Sequence, residues 1–153
     1  LTADVPAEVA LSGLEPGVYD VEVTGTAPIV AAVRQTVRAG TQADFAWMTA
    51  APEIVAETAF TVPRGPSATL LLKNNGAADV SVGLAGGGED QQVLVPAGSS
   101  VSVPVRAGSS WRLSPSGPVR AAVTMVGDDA DAKVAGWPLT PSAVNQQPID
   151  VRP

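Results

Sequence analysis

Ala68-Thr69-Leu70-Leu71-Leu72-Lys73, then Asn74-Asn75-Gly76, then Val80-Ser81-Val82: an apolar run, a turn cluster and an alternating run follow one another within 15 residues. The first is too short for a buried helix and is bounded by turn residues, so it reads as a strand. The last has the two-residue period of a half-buried strand. Outward from this pair the same grammar recurs about every ten residues. Val18-Tyr19-Asp20-Val21-Glu22-Val23 and Val101-Ser102-Val103 alternate. Strand-like runs fall at Ile29 to Val37, Ala43 to Met48, Val55 to Val62, Gln91 to Val95, Ser110 to Leu113, Val119 to Val126 and Lys133 to Trp137. Between them lie Glu15-Pro16-Gly17, Gly86-Gly87-Gly88, Pro96-Ala97-Gly98 and Gly127-Asp128-Asp129, which are turn chemistry. Only Ala27 to Ala32 rivals this pattern as a helix, and Pro28 with its flanking valines favours a strand. The expectation is an all-β chain built as an antiparallel β-sandwich.

An offset of ninety residues adds an internal repeat. It places Val5-Pro6-Ala7 on Val95-Pro96-Ala97, Pro28 on Pro118, Ala31-Ala32-Val33 on Ala121-Ala122-Val123, Trp47 on Trp137 and Pro63 on Pro153. The organisation predicted is two related units in tandem, the first incomplete. Residues 1–52 would be the second half of a unit, 53–142 a complete sandwich, and 143–153 a C-terminal strand. A half-sandwich cannot bury its apolar face alone. The tail is therefore expected to add to the sheet of residues 1–52 or to that of a second molecule. The start at Leu1, without methionine, reads as a processed or excised fragment.

The 153 residues are 45% hydrophobic and 16% charged, enough apolar material for a core and too little charge for a coiled coil or a disordered chain. Net charge is −6, which opposes the counterion release that drives binding to nucleic acid. Cysteine and histidine are both absent, so disulfides, thiolate nucleophiles, Ser-His-Asp catalysis and the commonest transition-metal ligands are excluded from this chain. No apolar run approaches the roughly 20 residues a membrane helix needs.

The stretch from Leu70 through Asn74, Gly76, Asp79-Val80 and Val82, followed by Val95-Pro96-Ala97-Gly98 and Val101-Ser102-Val103, resembles the layout of bacterial extracellular immunoglobulin-like modules. Gly117-Pro118-Val119-Arg120-Ala121-Ala122-Val123 is similar to a pattern in secreted actinobacterial proteins of unknown function built from tandem sandwiches. The resemblance covers about residues 66–126 and, more faintly, 5–37. It implies an immunoglobulin-like fold and an extracellular or cell-envelope location. It supplies no functional residue.

Candidate sites are few. Trp47, Trp111 and Trp137 could stack on sugar rings, with Tyr19 extending the surface. The shared repeat position of Trp47 and Trp137 argues instead that both are mostly buried packing residues. Asp128, Asp129 and Asp131 offer hard oxygens to a cation such as calcium but lack the spacing of a dedicated loop, so an exposed acidic turn is the simpler reading. Glu89-Asp90 reads the same way. Gly86-Gly87-Gly88 lacks the lysine and helix of a phosphate loop. Asp20 with Glu22 as a carboxylate pair, and Ser67 with Lys73 as a dyad, have nothing else to support them. The expected function is a non-catalytic structural or protein-interaction module of a secreted or envelope protein, without cofactor. Its partner would be a protein or an envelope component, and not nucleic acid. The alternative is a carbohydrate- or small-ligand-binding module, which exposed tryptophans in one plane would favour.

Overall fold

The computed structural model describes residues 5–15, 17–128 and 131–142. The chain is all-β and antiparallel, and none of the described residues is helical. Eleven strands form among the described residues: β1 (Ala32–Ala39), β2 (Gln42–Thr49), β3 (Glu53–Ile54), β4 (Thr58–Val62), β5 (Ser67–Lys73), β6 (Val80–Gly86), β7 (Glu89–Val95), β8 (Ser100–Val105), β9 (Ser109–Pro115), β10 (Val119–Val126) and β11 (Val134–Pro138).

β3 to β11 make a sandwich. One sheet runs β11-β10-β5-β8, with β3 also on β10; the other runs β4-β9-β6-β7. Each strand contributes alternate residues to the space between them. β10 buries Val119, Ala121, Val123 and Met125, while β5 buries Ala68, Leu70 and Leu72. From the other sheet come Phe60 and Val62, Trp111 and Leu113, and Val80, Val82 and Leu84. The period-two pattern read in the sequence is therefore the inner and outer face of each sheet. The β5 to β6 passage has its expected form, strand, turn and strand.

The two ends of that stretch are tied together by Asn74, which is fully buried. Its Nδ2 donates to the carbonyls of Ala78 (2.8 Å) and Val95 (3.0 Å), and its Oδ1 accepts from the Gly76 amide (2.8 Å). Its backbone N–H donates to Ser99 O, and the Gly98 N–H donates to Gly76 O. The β5–β6 and β7–β8 turns thus form one hydrogen-bonded end of the sandwich. The Asn-x-Gly and Val-Pro-Ala-Gly elements of the sequence are its two halves.

The other end shows why glycine occupies position 87. Gly87 has φ +61°, and a methyl group there would overlap the ring of buried Trp111. The glycine run is a tight β6–β7 turn closing over that indole, and its composition serves packing.

N-terminal to the sandwich lies the β1–β2 hairpin, a separate two-stranded sheet closed by the turn at Gly40-Thr41. One face of β2 lies against β11. Asp44 Oδ2 accepts from the Val134 N–H (3.0 Å), and Met48 packs where Gly136 leaves no side chain. The strand expected over Val18 to Val23 does not form: residues 17–28 hold no strand, and Val18, Val21 and Val23 are exposed. Alternation suits these residues to a sheet, but it does not by itself supply a partner, and their backbone groups join no ladder. Among the described residues a complete sandwich is present once. The expected tail strand at 143–153 lies outside the described residues.

Candidate functional site

Of the three tryptophans only Trp47 is exposed. Trp111 on β9 is buried in the sandwich core, with no hydrogen-bond partner for its Nε1 among the described residues. Trp137 on β11 is half-buried and packs against the same core, as expected. Trp47 is 54% exposed, which overturns the expectation that it is buried. The cause is a difference of one residue in register. Val123 pairs with Trp137, so these two side chains share a face, whereas Val33 pairs with Met48 and Arg34 with Trp47. In a strand a one-residue slip moves a side chain to the other face. Met48 takes the inward position and Trp47 is turned out.

The outward face of the hairpin is distinctive. β2 presents Ala43, Phe45 and Trp47, and β1 presents Arg34, Thr36 and Arg38 directly opposite. Phe45 is 59% exposed. The Arg34 guanidinium carbon lies 6.0 Å from the centroid of the Trp47 ring, at the outer limit of a cation–π contact. Asp44, the acid nearest in sequence, points the other way, into its bond with β11. Phe45, Arg34 and Arg38 were not singled out from the sequence. The i, i+2 spacing of Phe45 and Trp47 signals a shared face, but pairing with the arginines is fixed only by the Gly40-Thr41 turn.

The acidic candidates are otherwise engaged. Asp131 ion-pairs with Lys133 at 2.7 Å, and its backbone N–H donates to Asp128 O. Hydrogen bonding and charge from Asp131 raise the Lys133 ammonium pKa above its ordinary value. Asp129 lies outside the described residues, and no group of three or more possible ligands comes together among those described. Asp20 pairs with Lys73 at 2.9 Å, which removes Lys73 from any dyad. Ser67 and Lys73 sit at opposite ends of β5, six residues apart and so about 20 Å along the strand.

A shallow cleft at the Asn74 end is lined by Glu53, Lys73, Asp79 and Arg120. Three of these are tied to the backbone of neighbouring loops. Lys73 Nζ donates to Gly98 O (3.2 Å), the Ala97 N–H donates to Asp79 Oδ1 (3.0 Å), and Arg120 donates to Ala51 O. The cleft is the seam of the turns described above.

Fold and surface together define an all-β protein: an antiparallel sandwich carrying a docked hairpin whose open face combines aromatic rings and arginines. The chain belongs to a family of unknown function, DUF5719, matched over residues 1–106. That match runs from the N-terminal segment through the hairpin and into the sandwich as far as β8. No curated protein and no solved structure matches the chain. No helix among the described residues is long and apolar enough to cross a membrane.

Proposed function

We propose that this chain is a non-catalytic interaction module of a secreted or cell-envelope protein, in which the sandwich is the scaffold and the outward face of the β1–β2 hairpin is the contact surface. One observation carries the reading: Phe45 and Trp47 stand exposed, side by side on one strand, on a hairpin whose opposite face is docked. Large aromatics left in water where inward positions were available on the same strand are characteristic of recognition surfaces. The absence of histidine and cysteine supports a module without catalysis. Secretion, and membership in a tandem array of immunoglobulin-like units, are part of the proposal and rest on the sequence pattern and the ninety-residue offset. That both Val33 and Val123 lie on the first strand of an antiparallel hairpin supports the repeat.

The test is cosedimentation with bacterial envelope material, before and after protease treatment, using the native chain and the variants Phe45→Ala and Trp47→Ala. Both variants should fold as the native chain does and lose binding. Equal binding by all three proteins would refute the surface assignment. Survival of binding after protease treatment favours a carbohydrate ligand, and its loss favours a protein.

A further inference from the structure

We infer that the hairpin face binds an anionic polysaccharide, an inference that rests on the contact surface proposed above and specifies its ligand. Shape gives the first reason. Eight-residue strands with a rise of about 3.3 Å per residue make a strip about 26 Å long, and two strands give it a width of about 10 Å. A strip of roughly 260 Å² is about a third of the roughly 800 Å² each partner contributes to a standard protein interface. It is long and narrow, which suits a linear polymer.

Chemistry gives the second. Phe45 and Trp47 are two residues apart on one strand and on one face, so their backbone positions are spaced by about 7 Å. They offer successive apolar faces to the C–H faces of sugar rings. Arg34 and Arg38 lie across from them with no acid on the same face. Neither arginine has an ion-pair partner among the described residues. In a chain of net charge −6, two unpaired cations beside two exposed rings mark a local reversal of sign. Guanidinium groups make paired, charge-assisted hydrogen bonds to carboxylate or phosphate oxygens. A sugar polymer bearing such groups satisfies the rings and the arginines together; a neutral glycan satisfies only the rings, and an acidic peptide mainly the cations.

Binding of the full chain to alginate (a polyuronate), to neutral dextran and to poly-glutamate at one low salt concentration separates these cases. Calorimetry gives the affinities, and melting confirms the fold of each variant. Alginate should bind, and dextran and poly-glutamate should bind at least about tenfold more weakly. Arg34→Gln and Arg38→Gln should each weaken alginate binding about 5- to 10-fold, and Trp47→Ala should abolish it, all with unchanged melting. Dextran binding as tightly as alginate, with the arginine variants unaffected, would overturn the anionic assignment while leaving the contact surface standing. Poly-glutamate binding as tightly would show that charge alone acts, and would overturn the saccharide assignment. No alginate binding, or a concentration-dependent dimer on size exclusion that Trp47→Ala dissolves, would also overturn it, the second by giving the face to another copy of this chain.

Discussion

Asn74 shows what a single polar residue can hold. Its buried side chain bonds three backbone groups, at Gly76, Ala78 and Val95, of which the bond to Val95 is fully buried and the other two lie at the edge of the turn. Replacing it with alanine leaves one amide and two carbonyls without that partner, and at the buried Val95 carbonyl the cost of an unsatisfied group exceeds the worth of the bond itself. Asn74→Ala should therefore destabilise the protein by about 2 to 4 kcal/mol in urea unfolding. A cost below about 0.5 kcal/mol would mean that water enters the turn. Trp111 is the converse case, because its Nε1 gains nothing from burial. Trp111→Phe, which removes that unpaired donor and part of the ring, should cost less than about 2 kcal/mol, whereas Trp111→Ala should cost about 3 to 5 kcal/mol. Equal costs for the two would show that the indole N–H has a partner in solution. Both residues were visible in the sequence, Asn74 as a turn former and Trp111 as an aromatic in a strand. Their burial was not, since it depends on which turns and sheets meet in space.

At the scale of elements, local chemistry carried far. Val119 to Val126 is the strand β10, and Ala68 to Lys73 is β5 less one residue. Alternation and turn residues act over a few positions and can be read directly. Pairing cannot, and Val18 to Val23 is the instructive failure, a well-patterned segment that joins no ladder. The hairpin makes the same point through register, because its tight turn places Met48 inward and Trp47 outward although the repeat aligns Trp47 with Trp137. Met48 of this hairpin packs onto Gly136, where a Cβ would overlap its sulfur. Gly136→Val should therefore lift the hairpin from β11, break the Asp44 bond to the Val134 amide and speed hydrogen exchange at that amide. Exchange in β5, β6 and β10 should stay slow. Unchanged protection at Val134 would show that the hairpin is held by other contacts.

For the whole molecule, the decisive fact is where the buried apolar side chains lie. Among the described residues every one of them falls between Ile54 and Leu139, and the hairpin's apolar side chains reach only half-burial, at Val33, Val37, Ala39, Ala46 and Met48. Cooperative unfolding follows the contiguous core, so the sandwich should melt as one unit, with the hairpin adding little. Arg120, donating to the Ala51 carbonyl, anchors the chain where it enters the sandwich, so a shortened chain should begin no later than that residue. A fragment spanning residues 50–153 should accordingly melt within about 4 °C of the full chain, since a shift of that size corresponds to roughly 1 kcal/mol in a domain of about 100 residues. The fragment should also lose all binding assigned to the hairpin face, because Phe45 and Trp47 go with it. A fall of more than about 10 °C would show that residues 1–49 belong to the folding unit, and retained binding would move the contact surface onto the sandwich. Preserved melting with lost binding is the result that separates scaffold from surface, a division that strand pattern alone does not reveal.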